Sequence, residues 1–252
     1  NIMLETIDHG PVRELRLARP PANAINPELM EILIQALNEA SGSCEAIVIS
    51  GRPGMFTAGL DVPELIQYDR NQLTHCWQQF LRMLKTIAAL PVPTAFAITG
   101  HAPAGGIVMA LYGDYRIMPR GDFVTGLNEV QVGLVVSTVI HKALERIVGP
   151  RSAEKILVAG SLLNSQQALE IGLVDELADD PADVVRRAVN WCDQMLALPR
   201  LAMTTTRSLV RSDLIRLFDD TSNLDVEKFV DIWLSESTQA ALRSLVERLQ
   251  KK

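Results

Sequence analysis

Apolar and polar positions are arranged in short blocks over the first half of the chain and in longer helical periods afterwards. Leu4 to Ile7 and Val12 to Leu17 are mixed runs on either side of His9-Gly10-Pro11, which predicts an opening β-hairpin. A polar loop from Arg19 to Asn26 follows. Pro27 then stands at a first-turn position behind Asn26 as N-cap, and Leu29, Ile32, Leu33, Ala36 and Leu37 recur at helical spacing, predicting a helix of about fifteen residues. The apolar run Ala46 to Ile49, the Gly-rich loop Ser50 to Asp61, a long helix through Trp77 to Leu90 and the run Thr94 to Thr99 come next. The order repeats as a loop from Gly100 to Ala104, an apolar helix from Gly105 to Tyr112 and a strand from Tyr115 to Met118. Alternation of this kind predicts an α/β fold with buried strands. From Val135 onward the pattern is mostly helical, with stops at Gly149-Pro150, Gly160, Gly172 and Pro199, and Leu201 to Lys252 is expected to be helices alone.

Composition narrows the classes of function. The chain has 252 residues, 48% hydrophobic and 21% charged, enough to bury a large core. A net charge of -6 argues against a nucleic-acid partner, because neutralising phosphates requires clustered Lys and Arg. Arg207, Arg211 and Arg216 could still meet the phosphates of a small ligand, although a solvated helix face explains them more simply. The three cysteines, Cys44, Cys76 and Cys192, are too scattered for a disulfide framework or a CxxC metal pair, and no HExxH occurs; no metal is implied. The opening NIMLETIDHG has neither a signal-peptide pattern nor an Arg-rich amphipathic stretch, and no apolar run approaches the roughly 20 residues of a membrane span. A cytoplasmic protein with no membrane span is expected.

Two Gly-rich loops carry the candidate chemistry. Met55 to Asp61 and Gly100 to Gly106 each lie between a predicted strand and a helix, where small residues let a ligand approach backbone N–H groups. Together they could hold one developing negative charge; a tight connection alone would also account for either. Gly106 and Ile107 stand where a P-loop needs Lys and Ser/Thr, and neither GxGxxG nor GxSxG is present, so triphosphate, dinucleotide and serine-hydrolase sites lack their signatures.

The phrases RPPANAIN (Arg19 to Asn26), RPGMFTAGLDVPEL (Arg52 to Leu65), GHAPAGG (Gly100 to Gly106), GDYRI (Gly113 to Ile117), GLNEVQVGL (Gly126 to Leu134) and ALEIGLVDEL (Ala168 to Leu177) follow one another in order. With them the chain resembles the crotonase (enoyl-CoA hydratase/isomerase) superfamily, most closely the Δ3,Δ2-enoyl-CoA isomerases of the mitochondrial type. The resemblance implies a spiral of ββα units over residues 1–198 and a C-terminal helical appendage over residues 199–252 that serves oligomerisation, as a homotrimer or dimer of trimers. It implies an acyl-CoA thioester as substrate and no cofactor, coenzyme A being part of the substrate. The backbone N–H groups of Leu60 and Gly105 would be the oxyanion donors. Ala22, Ala24, Ala58, Gly59, Asp61 and Val62 would line the adenine and pantetheine path, and Asn128 would lie beside the acyl chain.

The resemblance makes Glu129 the catalytic acid/base; without it, a surface or helix-terminal carboxylate would be the expectation. The second glutamate of typical hydratases falls on Val108, three residues after Gly105. Adding water calls for a second group to orient it, whereas an allylic shift needs one base that moves a proton between C2 and C4. An isomerase is therefore expected, with Glu129 at a raised pKa behind an apolar wall of Val108, Val130 and Val132. A hydratase using Asp61 as second acid, or a non-catalytic acyl-CoA- or RNA-binding homologue, are the alternatives. Asp61 is more simply the cap of the helix it precedes, and His101 an exposed loop histidine. Asp114 and Arg116 are expected to pair locally, Trp77, Trp191 and Trp233 to pack, and Lys228 is a possible phosphate contact.

Overall fold

A computed structural model describes residues 2–251; Asn1 and Lys252, at the ends of the two regions expected above, lie outside the described residues. The opening hairpin is β1 (Leu4–His9) and β2 (Val12–Leu17), in antiparallel register from Leu4 opposite Leu17 to His9 opposite Val12. Helix α1 (Pro27–Ser43) starts where Asn26 Oδ1 accepts from the Leu29 N–H at 3.0 Å, with Pro27 in the first turn. Its buried stripe runs through Leu29, Met30, Leu33, Ile34, Leu37 and Ala40, rotated from the expected one so that Ile32 and Ala36 are only half-buried.

After α1 the chain winds in three similar passes. Strand β3 (Ala46–Ser50) is followed by the two-residue β4 (Gly54–Met55), the short helix α2 (Val62–Leu65) and the long helix α3 (Arg70–Ala89). Strand β5 (Thr94–Ala97) is followed by β6 (Gly100–Pro103) and α4 (Gly105–Ala110). Strand β7 (Tyr115–Pro119) is followed by β8 (Val124–Gly126) and a one-turn 3₁₀ helix, Glu129–Val132. Helices α5 (Thr138–Val148) and α6 (Pro150–Ala159) lead to β9 (Leu162–Asn164), α7 (Ser165–Glu170) and β10 (Glu176–Ala178). The rest is helical: α8 (Asp183–Leu196), α9 (Arg200–Val210), α10 (Ser212–Arg216), α11 (Val226–Leu234) and α12 (Glu236–Gln250).

Among the described residues the strands form a six-stranded sheet, β1-β2-β3-β5-β7-β10, and a four-stranded one, β4-β6-β8-β9. In the larger sheet the strands after β1 run parallel; in the smaller, β4, β6 and β8 are parallel and β9 closes the edge antiparallel. Sequence patterning missed β8, β9 and β10 and assigned β4 and β6 to loops. Strands of two to four residues are too short to show a period of two.

The inner strands β3, β5 and β7 of the larger sheet are buried on both faces. Ala46, Val48, Ala95 and Ala97 meet Val184, Ala188 and Cys192 of α8, small residues on the strands letting the helix lie close. Ile47, Ile49 and Phe96, on the opposite face, join the main core with α1, α3 and α4. The C-terminal helices share that core, contributing Leu214, Phe218, Phe229, Val230, Trp233 and Leu242, and build no core of their own. Trp77 stacks on Phe229 with ring centroids 3.7 Å apart, and Trp191 stacks on Tyr115, so these tryptophans pack as expected.

Asp114 and Arg116 do not pair with each other. Arg116 reaches Asp175 at 3.3 Å, while Asp114 sits between Arg207 (2.9 Å) and Arg211 (3.0 Å), fastening α9 and α10 to the start of β7. Arg207 and Arg211 are thus neither a solvated face nor a phosphate site; only Arg216 of the three is exposed. Burying these charges is tolerable because the guanidiniums also donate to the carbonyls of Leu90 and Tyr112. Asp114→Ala leaves the buried Arg211 and the half-buried Arg207 without a counter-charge and is expected to lower the unfolding free energy by about 3–5 kcal/mol in urea titrations, whereas Arg216→Ala is expected to change it by less than about 0.5 kcal/mol.

Candidate active site

Parallel pairing of β4, β6 and β8 brings three chain segments to the same end of the small sheet. Gly54 and Met55 lie opposite Gly100 and His101, and Ala102 and Pro103 lie opposite Thr125 and Gly126. The residues that follow each strand, 58–61, 104–105 and 127–129, therefore emerge side by side. The Ala104 N–H donates to the Gly126 carbonyl at 2.8 Å, tying the second segment to the third.

The first two segments touch. A Cβ built on Gly105 would stand 3.3 Å from the Leu60 nitrogen, and one on Gly59 would stand 3.2 Å from the Gly105 nitrogen. Gly59 also has φ +86°, a conformation that L side chains rarely adopt, so conformation and space both favour glycine at 59, while a Cβ at 105 would be tight. Among the described residues neither the Leu60 N–H nor the Gly105 N–H has a protein acceptor. Gly105 is the first residue of α4, whose opening N–H groups have no intrahelical partner. Two unpaired donors on touching loops can receive one anionic oxygen.

Residues 22–26 form a third layer beside 56–61. Ala58 N–H donates to the Ala22 carbonyl (2.9 Å), Ile25 N–H to Gly59 (2.8 Å) and Asp61 N–H to Ile25 (2.9 Å). Ala22 and Ala24 thus run alongside Ala58 and Gly59; Ala58 is exposed, and Ala22, Ala24 and Val62 are half-buried. Sequence reasoning missed the groups that hold this layer. Asn23 Nδ2 donates to the Phe56 carbonyl, Thr57 Oγ1 donates to the Asn23 carbonyl, and Arg19 donates to the Ala24 carbonyl at 2.8 Å. Asn23 does so at φ +52°, a left-handed conformation that Asn tolerates better than most residues. The only signal in the sequence was their place inside the RPPANAIN and MFTAGL phrases.

Asp61 is occupied structurally. Its Oδ1 accepts from the Glu64 N–H at 3.1 Å, capping α2, and its Oδ2 pairs with Arg19 at 2.7 Å. His101 is not an exposed loop histidine: it lies half-buried on β6, where Nδ1 accepts from the Val124 N–H at 3.0 Å beside the Phe123 ring.

Glu129 opens the 3₁₀ turn, preceded by the half-buried Asn128. Its Oε2 is buried with no hydrogen-bond partner among the described residues. Burial pushes its pKa from 4.5 up to about 7, opposed weakly by its own backbone N–H, and no other ionisable side chain acts on it. Val108 is 1% exposed on α4 and Val132 packs against the core, whereas Val130 is 41% exposed. Lys228 is exposed, beside a surface depression that also takes in His141 and Lys142.

The orphaned carboxyl oxygen thus belongs to a residue three positions beyond the carbonyl that fixes one donor loop. Residues 8–252 match the model of the enoyl-CoA hydratase/isomerase family. The chain belongs to that family. It has the crotonase fold, and superimposes on the crystal structure of human mitochondrial Δ3-Δ2-enoyl-CoA isomerase with a TM-score of 0.93 at 28% identity, over 99% of each chain. Among curated sequences it is 28% identical to the human mitochondrial enoyl-CoA delta isomerase 1, over 99% of this chain and 84% of that protein. It is 31% identical to a probable enoyl-CoA hydratase, EchA17, of Mycobacterium tuberculosis, over 77% of this chain and 74% of that protein. This family member has no described helix long and apolar enough to cross a membrane.

Because the folded protein holds the Glu129 proton more tightly than the unfolded chain, deprotonation favours unfolding. The folded state loses stability as pH rises from about 4.5 to about 7, and the loss is constant above that range. Glu129→Gln is expected to raise the unfolding free energy at pH 8 by up to about 3 kcal/mol and to change it little at pH 4, as read from urea midpoints at the two pH values.

Proposed function

We propose that the protein is a Δ3,Δ2-enoyl-CoA isomerase in which Glu129 alone carries the proton. The observation that supports this reading most is the isolation of the Glu129 carboxyl: burial alone raises its pKa, and the position of a second hydratase glutamate is a buried valine, Val108. Asp61, at the end of the first loop, is held by Arg19 and the Glu64 N–H, so each of its oxygens already has a structural partner.

The reaction starts with a 3-enoyl-CoA whose thioester oxygen accepts from the Leu60 and Gly105 N–H groups. Ionised Glu129 takes a proton from C2, and the electron pair spreads into a dienolate with its charge on that oxygen. The two donors meet the charge where it develops; losing one such donor costs roughly 2.7–4 kcal/mol in comparable sites. Neutral Glu129 then gives the proton to C4, leaving a 2-trans-enoyl-CoA. A carboxyl with a pKa of about 7 suits both halves, since it accepts and returns a proton at neutral pH with little bias. Ala22, Ala24, Ala58, Gly59, Asp61 and Val62 contribute the backbone rim along which the CoA portion lies, and Asn128 flanks the acyl chain. No cofactor is required, and a homotrimer or dimer of trimers in the cytoplasm is the assembly and setting this reading carries.

Hydration is the competing reading, since one relative is named a probable hydratase. Purified protein given a 3-enoyl-CoA is expected to yield the 2-trans isomer, and given a 2-trans-enoyl-CoA to yield no 3-hydroxyacyl-CoA at a comparable rate. Glu129→Gln is expected to reduce isomerisation by about 10²- to 10⁴-fold. Fast hydration by the unmodified protein would instead demand a second acid. Since the base must be ionised, kcat/KM for isomerisation is expected to rise with pH, reach half its maximum near pH 7 and level off above, which stopped assays between pH 5 and 9 would show.

A further inference from the structure

No side chain grips the Glu129 carboxylate directly. Its Oε2 has no partner, and Asn128, which precedes the turn, makes no side-chain cap. The direction in which the carboxyl points is therefore inherited from the backbone of a single turn, Glu129–Val132.

That turn is fixed at its end from far away in the chain. Gly133 closes it at φ +81°, the Gly133 N–H donates to Val130 at 3.2 Å, and the Leu134 N–H donates to the Glu129 carbonyl at 3.0 Å. The Gly133 carbonyl accepts from Thr238 Oγ1 at 2.9 Å, a bond between residues 105 positions apart. Thr238 is 2% exposed, in the first turn of α12, and its own hydroxyl accepts from Ser235 Oγ at 3.1 Å. The fit is close: a Cβ on Gly133 would come within 2.9 Å of Thr238 Oγ1 and 3.3 Å of its Cα. On the opposite flank Gln131 Nε2 donates to the Gly160 carbonyl at 2.7 Å, so α6 and α12 hold the turn between them.

We propose that Thr238 is a positioning residue for the reaction, holding Glu129 at the reacting carbons by anchoring the Gly133 carbonyl. The proposal rests on the assignment of Glu129 as the base. It makes the last helix part of the active-site support, although none of its side chains is assigned a contact with substrate. Misplacing a reacting group by about 1 Å can cost on the order of a hundredfold in rate. Thr238→Val keeps shape and volume and removes the hydroxyl; Thr238→Ser keeps the hydroxyl.

The test uses the full chain with a 3-enoyl-CoA as probe, together with a ¹³C-detected titration of Glu129 in protein free of substrate, the signal assigned with Glu129→Gln. For Thr238→Val, kcat is expected to fall tenfold or more while KM stays within about twofold. Its Glu129 titration is expected to move from about 7 toward the ordinary 4.5 as the loosened turn admits water. No ionisable side chain acts on Glu129, so that movement reports its burial. Thr238→Ser is expected to restore both readouts. A valine variant with unchanged kcat and unchanged titration overturns the proposal, as does a serine variant that falls as far as the valine one. If circular dichroism shows that the valine variant does not fold, Thr238→Ala is judged by the same two readouts. If the unmodified protein turns over no 3-enoyl-CoA, the isomerase assignment fails, while the titration still decides whether Thr238 holds the turn.

Discussion

The parallel pairing of β4, β6 and β8 is the constraint on which the site depends, because it sets three loops from distant parts of the chain against one another. Strands of two to four residues would not hold together alone. They persist because the residues in and beside them, Phe56, Ala102 and Leu127, are fully buried in the main core. The approach is so close that a Cβ on Gly100 would fall 2.0 Å from the Gly54 carbonyl carbon. With that contact in place, Leu60, Gly105 and Glu129 follow from chain connectivity. The large sheet does no chemistry but supplies the preceding strand of each pass and fixes where each short strand begins.

Function and stability pull in opposite directions at Glu129. A carboxyl without a partner in an apolar surrounding weakens the fold at neutral pH, and the same burial raises its pKa to about 7, where it can exchange a proton in both directions. The molecule keeps the carboxyl free of side-chain hydrogen bonds and locates it through the backbone instead, from α6 through Gln131 and from α12 through Thr238. The Asp114 pairs with Arg207 and Arg211 secure the C-terminal helices to the sheet, and Trp77 stacked on Phe229 secures α11 to α3.

Much of the architecture could be read from periodicity and caps: the hairpin, α1 behind Asn26, the buried strands at 46–50, 94–97 and 115–119, and α3. The small sheet could not. Its glycines resemble those of a loop, and its strands exist only through partners 23 or more positions away, such as Gly54 opposite Gly100. Charged residues were the other weak point. Arg207 and Arg211 look like a helix face until the fold places Asp114 between them. Val130 follows Glu129 in sequence but is 41% exposed, because consecutive residues of a tight turn diverge. The two loops were visible as candidate donors from glycine content alone, whereas Glu129 stood out only through resemblance to a family. Thr238 gave no signal, since its meaning lies in a bond to a glycine 105 residues earlier.

In the proposed reaction one carboxyl moves one proton between two carbons within a water-poor site. The most direct measurement of that transfer is the isomerisation of a 3-enoyl-CoA deuterated at C2, run in ordinary water and followed by mass spectrometry and NMR of the product. Deuterium at C4 of the 2-trans-enoyl-CoA, in a fraction well above background, is the result expected if Glu129 carries the same hydron from C2 to C4. Complete loss of the label to solvent, with none at C4, would contradict a single sheltered shuttle and point to two separate groups.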